Sequence, residues 1–380
     1  MKARRKAPKL AAWESRLLGL IAVTLAVFGV AAVYSSSSVV AVQNGFPGTT
    51  FALRQLVGAV LGIIFLLMGA RLDYALWRKW AWPLVGAAAF ILALLLLPFT
   101  ETLAPVRNGA RRWIDLGLVT IQPSEVAKFA VIVWTAMLAA KKGKGVRNFK
   151  LGVVPFLVIV IPIIVLIALE PDLSTAVIVG LLVAAILFVA GARIGHFLLV
   201  VVVALPFMWR ELTAVQFRLH RIASFLSPGA DPLDTSWQIG QSLIGIGSGR
   251  LMGVGFGEGL QKLGYLPYAY SDFIFSTIGE EWGFAGVSAL LLLYSTFLFL
   301  GLRIARNALD PFGTLLGVGL TALIGVTAIF HMAVTMALVP TTGLPLPFIS
   351  YGRSNLLIAM LATGVLMNIG DQALLRKPRR

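Results

Sequence analysis

Residues 265–286 read YLPYAYSDFIFSTIGEEWGFAG. From Phe273 the chain is almost wholly apolar to about residue 302, longer than the roughly 20 residues that carry a helix across a bilayer. Asp272 stands at the mouth of that run, and Glu280 and Glu281 lie inside it. Glu280 is about 12 Å further along a helix axis, where an ionised carboxylate costs on the order of 3 kcal/mol even on a lenient insertion scale. Steps of about 100° per residue put Glu281 on the side of the helix opposite Asp272, so the acids cannot all line one site. The pattern predicts that Glu280 and Glu281 are structural intramembrane groups paired with cations or hydroxyls of neighbouring helices. Asp272, at the entrance, is the residue placed to meet a substrate.

The rest of the chain has the same character. Of 380 residues, 58% are hydrophobic and 13% charged, against about 45–50% and 25% in a soluble domain. This is the composition of an all-α integral membrane protein, read as a single polytopic domain over 1–380. Ten apolar runs are long enough to span: roughly 17–40, 53–70, 80–98, 122–140, 151–169, 173–191, 194–210, 273–302, 312–339 and 353–374. Residues 1–16 resemble the basic region of a signal peptide, but the run that follows is long and no small-residue cleavage site closes it, so a retained first helix is expected.

The net charge of +16 does not point to nucleic acid, because the cations cluster between apolar runs. With ten spans, MKARRK, RLDYALWRK, KKGKGVRNFK, Arg193, RIAR and the 375–380 tail fall on one side, with roughly two-thirds of the Lys and Arg. That side is expected to be cytoplasmic, with both termini inside and one long extracellular connection, 211–272, between helices 7 and 8. Most acids lie on or face the outer side, which suggests that the polar chemistry is done there; negative outer loops are otherwise neutral for topology.

The long connection contains FRLHRIASFLSPGADP, in which Arg218 and Arg221 share a helical face beside apolar residues and could meet anionic head groups. A glycine-rich segment follows, GQSLIGIGSGRLMGVGFGEG, with neither a dinucleotide fingerprint nor a GK[ST] loop. Small residues in membrane proteins more often permit close packing, so a flexible or tightly packed re-entrant loop is expected.

Familiar catalytic sets are missing. There are no cysteines, and the three histidines (His196, His220, His331) are scattered and form no H-E-x-x-H motif. No G-x-S-x-G elbow occurs. Carboxylates and cations remain, a set suited to acid–base work and pyrophosphate binding. Glu125 and Lys128, three residues apart at the start of a span, form either a structural ion pair or a functional one. Asp172, after the helix-breaking Pro171, reads most simply as an N-cap.

These motifs together resemble the SEDS family (shape, elongation, division and sporulation) of FtsW/RodA type. NGARRWIDLG, QPSEVAKFA, EPDLSTA, FRLHRIASFLSPGADP, the stretch from GIGSGRLMG to GEEWG, and PLPFISYGRS occur in that family's order over nearly the whole chain. QKLGYLP, SDFIFSTIGEE and TGLPLPFISYG look closer to the FtsW/SpoVE branch than to RodA. The resemblance implies a ten-helix enzyme of the bacterial cytoplasmic membrane that polymerises lipid II into glycan strands on the outer face. Septal synthesis during division is the expected setting, with elongation as the alternative. It implies a class B penicillin-binding protein as partner, alongside divisome or elongation-complex proteins. It maps the essential aspartate onto Asp272, and substrate-handling residues onto Glu125, Lys128 and Asp172. Arg112, Gln122, Arg218, Arg221 and Lys262 are further candidates for substrate binding. A bound divalent cation, magnesium or manganese, is an alternative source of positive charge.

The chain departs from the family pattern in three places. Gly264 and Tyr268 stand where relatives carry acids, Glu170 and Ser174 replace the Gln and Gly of QPDLGT, and Arg353 interrupts SYGGS. Two rival functions share the same features. A flippase would use Glu125, Lys128 and Glu280 as an intramembrane pathway; a scaffold that only recruits a penicillin-binding protein would leave the placed charges unexplained.

Overall fold

The computed structural model describes residues 13–97, 100, 104–105, 111–115, 120–213, 219, 221, 224–225 and 235–376. Arg218 and the extreme tails, 1–12 and 377–380, lie outside the described residues. The helices are α1 (Trp13–Gln43), α2 (Thr50–Arg71), α3 (Tyr74–Leu95), α4 (Pro123–Lys142), α5 (Val154–Leu169) and α6 (Leu173–Val189). They continue with α7 (Ile194–Thr213), α8 (Thr235–Ser248), α9 (Ile274–Arg306), α10 (Pro311–Thr335) and α11 (Arg353–Arg376). A two-stranded antiparallel hairpin, β1 (Ile114–Asp115) and β2 (Thr120–Ile121), pairs Ile114 with Ile121 just before α4.

Among the described residues nine helices are long and apolar enough to cross a membrane. The tenth apolar helix, α6, has 17 residues, the lower end of the spanning range. The chain is thus a multi-pass helical membrane protein with the expected succession of spans. Several boundaries shift by a few residues, and two of the shifts have a visible cause. The third helix starts at Tyr74, not near residue 80, because the Asp73 carboxylate accepts the Ala75 N–H at 2.9 Å and caps it. Cations and tryptophans in its first turns, Trp77 to Trp80, hide that start from a reading of hydrophobicity. The ninth span ends at Thr335, after which Ala337 turns at φ 55 and the chain runs irregularly to Arg353.

Lipid tails are as apolar as leucine, so helices in a membrane associate chiefly through close packing. The α2–α11 pair shows this: a Cβ on Gly364 would sit 2.1 Å from the Leu66 carbonyl oxygen. α4 occupies the centre, with Lys128, Ile132 and Trp134 fully buried, whereas α7 buries no residue and lies at the edge.

The glycine-rich segment is a tightly packed re-entrant hairpin. α8 runs beside the first part of α9, where the Ser276 hydroxyl donates to the Ser242 carbonyl at 2.7 Å. The chain then turns back against a break in α9 at Gly283 (φ 62, ψ −161), a backbone conformation open chiefly to glycine. The groups that the break exposes are taken up across the turn. Val254 and Gly255 N–H donate to the Glu280 and Glu281 carbonyls at 3.0 and 3.1 Å. Phe284 and Ala285 N–H donate to the Arg250 and Leu251 carbonyls at 2.8 and 3.0 Å.

Glu280 and Glu281 flank this break. Glu280 accepts the Leu260 N–H at 2.8 Å and the Gln261 N–H at 3.3 Å. Glu281 pairs with Lys262 at 2.7 Å, and Ser35 of α1 bridges the two, donating to Glu281 at 2.5 Å and accepting from Lys262 at 2.9 Å. Lys262, expected at a leaving group, is therefore buried against Glu281. Removing one partner of a buried pair strands the other charge, at a cost of about 3–5 kcal/mol. Lys262→Met is expected to lower the thermal unfolding temperature of the detergent-solubilised protein by several degrees. The double variant Lys262→Met/Glu281→Leu should recover most of it, and a double variant as unstable as the single one would show that the pair does not matter.

Candidate active site

At one end of the bundle the α5–α6 turn, the residues flanking the β hairpin and the α10–α11 loop come together near Asp272, two residues before α9. Asp272 does not cap that helix: Phe273 holds the cap position, with no side-chain hydrogen bond. Asp272 sits instead on a turn organised by the Tyr268 carbonyl, which accepts the N–H groups of Ser271 (3.0 Å), Asp272 (3.1 Å) and Phe273 (3.3 Å). Tyr268 holds φ 56, a left-handed conformation costly for a bulky side chain. The carboxyl of Asp272 is thereby free of helix-capping duty.

The α10–α11 loop fixes this turn. The Ser350 hydroxyl donates to the Ser271 carbonyl at 2.7 Å and accepts the Leu346 N–H at 2.8 Å, and the Tyr351 N–H donates to the Tyr270 carbonyl at 3.0 Å. The rings of Phe51, Tyr270 and Tyr351 pack together with centroids 5.0–5.7 Å apart, one pair tilted and two edge-on. A Cβ on Gly343 would lie 3.7 Å from Asp272 Oδ2, so the loop passes directly over the carboxylate.

Burial pushes the Asp272 carboxyl up from 3.8 to about 6, a rise that a hydrogen bond from Ser271 and the guanidiniums of Arg221 and Arg112 hold back. Arg221 also donates to the Thr341 carbonyl at 3.3 Å. Arg112 Nε donates to the Glu170 carbonyl at 2.8 Å, and its Nη2 to the Pro171 carbonyl.

Asp172 caps α6, accepting the Thr175 N–H at 3.2 Å, and its second oxygen accepts from Gln122 at 3.3 Å. The N-cap reading of Asp172 is therefore part of its role, and the same side chain ties α6 to the start of α4. Beside it the Glu170 side chain is buried, and neither of its oxygens has a hydrogen-bond partner among the described residues. Burial, reinforced by Asp172 and opposed by Arg112, raises its carboxyl from 4.5 to about 8.

Glu125 and Lys128 form a buried ion pair at 2.8 Å, and Asn355 of α11 donates to the other Glu125 oxygen at 3.3 Å. Gln122 N–H donates to Ser354 at 2.9 Å, and Arg353 donates to Thr120 at 3.1 Å. The arginine that interrupts the SYGGS pattern thus ties α11 to the β hairpin.

Of the expected residues, the structure gathers Asp272, Arg112, Arg221, Asp172 and Gln122 around one end, with Glu125 and Lys128 just inside. Lys262 is held elsewhere and Arg218 is outside the described residues. Among the described residues no three carboxylates or histidines converge to hold a metal ion. Sequence reasoning assigned nothing to Gly343, Ser350, Tyr270 or Glu170. The PLPFISYGRS motif that holds Ser350 was visible, but only the fold shows that it holds the turn carrying Asp272.

Ser350→Ala would leave the Leu346 N–H and the Ser271 carbonyl unpaired, a cost of about 1–3 kcal/mol. Faster hydrogen exchange at Leu346 and in 268–273 is expected; unchanged exchange there would show that the loop does not hold the Asp272 turn.

Residues 15–374 match the FTSW_RODA_SPOVE family model, described as "Cell cycle protein". A "Probable peptidoglycan glycosyltransferase FtsW" from Trichlorobacter lovleyi is 41% identical over 365 residues, 96% of this chain and 95% of that protein. "Stage V sporulation protein E" of Bacillus subtilis is 39% identical over 353 residues, 93% of this chain and 95% of that protein. Among solved structures, a chain from work on "Structural coordination of polymerization and crosslinking by a peptidoglycan synthase complex" superposes with a TM-score of 0.75 at 25% identity, over 94% of this chain and 97% of that one. The rod shape determining protein RodA of Thermus thermophilus superposes with a TM-score of 0.65 at 25% identity, over 93% of this chain and 96% of that one. The order of motifs, the helix bundle and the site at its end have one explanation: this chain belongs to the FtsW/RodA/SpoVE family of cell cycle proteins.

Proposed function

We propose that this chain is a peptidoglycan glycosyltransferase that polymerises lipid II at the outer face of the bacterial cytoplasmic membrane, with Asp272 as general base. The observation that carries the reading is the Asp272 carboxyl, partly buried off the helix cap, with its pKa brought to about 6 and two guanidiniums acting on it. A base is most effective when its pKa lies near the working pH. At pH 7 Asp272 is then mostly ionised, yet its carboxylate is more basic than one in water.

In the proposed step, Asp272 takes the proton of the acceptor sugar's 4-hydroxyl as that oxygen bonds to the anomeric carbon of the lipid-linked donor. The bond from that carbon to the pyrophosphate breaks, and the polyprenyl pyrophosphate leaves with the electron pair. Arg112 and Arg221 supply positive charge where the pyrophosphate accumulates negative charge. They take the role expected of Lys262, since Lys262 is neutralised by Glu281. The Glu125–Lys128–Asn355 group fixes α4 against α11 beneath the site.

The likeness to FtsW and SpoVE relatives favours septal synthesis in division. The peptidoglycan synthase complex among the structural relatives favours a cross-linking partner, which the sequence resemblance identifies as a class B penicillin-binding protein. With the acidic site outside, the basic loops and both termini face the cytoplasm.

Asp272→Asn is expected to reduce glycan polymer from lipid II by roughly 10²–10⁴-fold in protein supplied with its partner, while the unfolding temperature holds or rises. Full synthesis by this variant would exclude Asp272 as base. In liposomes loaded with labelled lipid II, polymer without translocation supports the polymerase; translocation without polymer supports the flippase. Because Asp272 must be ionised and its pKa is raised, the acid limb of the rate profile should climb with pH through about 6 and be complete near pH 7. A rate already flat from pH 5 upward would mean that another group accepts the proton.

A further inference from the structure

Glu170 has no part in the step just described, yet it is built into the site. It is 2% exposed, sits on the α5–α6 turn, and both its carboxyl oxygens lack a hydrogen-bond partner among the described residues. A buried, unpaired carboxylate is costly, whereas the neutral acid is tolerated. The charged groups acting on it are Asp172 from its own turn and Arg112 from the segment entering β1. Asp172 is already occupied, with one oxygen on the Thr175 N–H and the other on Gln122. Arg112 is held to this turn through the carbonyls of Glu170 and Pro171, and its charge also acts on Asp272. The family pattern carries glutamine here, an uncharged side chain of the same shape.

We propose that Glu170 is a proton-dependent positioning residue for Arg112. As the neutral acid it imitates glutamine and leaves the guanidinium's charge directed toward Asp272 and the departing pyrophosphate. As the carboxylate it draws that charge to itself, through the bidentate pairing that arginine prefers. The chain would then carry an alkaline limit on its activity that a glutamine at this position removes. The inference rests on the polymerase reading, since it places the leaving group beside Arg112.

The test pairs a direct titration with a pH–rate profile. Infrared difference spectra of the purified full chain, taken from pH 6 to pH 10, should show a buried protonated carboxyl lost with a midpoint near 8. The band should be missing in Glu170→Gln and in a second variant, Glu170→Met. Polymerisation of lipid II by the wild type, normalised to its own maximum, should fall roughly tenfold by one pH unit above that midpoint. The normalised profile of Glu170→Gln should keep its acid limb and lose this alkaline one. A carboxyl that is ionised throughout the range, or alkaline limbs that coincide in wild type and Glu170→Gln, would overturn the proposal. A band that titrates as expected in a protein that makes no polymer at any pH would establish the neutral acid and refute the polymerase reading on which its role depends.

Discussion

A helix that breaks inside an apolar layer exposes N–H and C=O groups where no water can satisfy them, and each unsatisfied group costs several kcal/mol. α9 breaks at Gly283, nine residues after its start, or about 14 Å into the bundle. The rest of the site depends on how that break is closed. The returning segment at 250–255 supplies the missing hydrogen bonds, and the buried Glu281–Lys262–Ser35 group and the Glu280 contacts lock residues 260–262, which follow it, to α9 and α1. The first part of α9 therefore becomes a short, fixed post, and Asp272 stands at its top.

From that post the electrostatics of Asp272 follow. A carboxylate used as an N-cap is stabilised by backbone N–H groups and becomes a poor base. Here Phe273 takes the cap position and a left-handed Tyr268 turns the chain, so the Asp272 carboxyl is surrounded by the α10–α11 loop and partly desolvated. Burial raises its proton affinity, and Arg112 and Arg221 limit the rise. In the proposed step, the raised carboxyl and the cationic surround for the leaving anion thus come from one loop and the same two arginines.

Much of this was legible in the sequence, for identifiable reasons. Spans announce themselves because the bilayer demands long apolar runs, and the positions of Asp272, Glu125 and Asp172 stand out because ionisable groups at membrane depth are rare. The separation of Asp272 from Glu281 was also readable, although on the geometry of one continuous helix. The structure starts that helix after Asp272 and breaks it after Glu281. What could not be read is pairing over long sequence distance. Lys262 lies near Asp272 in sequence, but its partners are Glu281 and Ser35. Ser350 meets Ser271 across 79 positions, and Arg112 meets Glu170 across 58. Glu170 looked like a departure from a motif; only its burial beside Asp172 and Arg112 gives it a physical role.

The account turns on one property, the proton affinity of Asp272 in the folded protein. Carbon-13 NMR of the side-chain carboxyls of the aspartate-labelled, detergent-solubilised chain, with Asp272→Asn to assign the resonance, measures it directly. The account predicts a midpoint near 6, and a resonance that titrates near the ordinary aspartate value of 3.8 would contradict it.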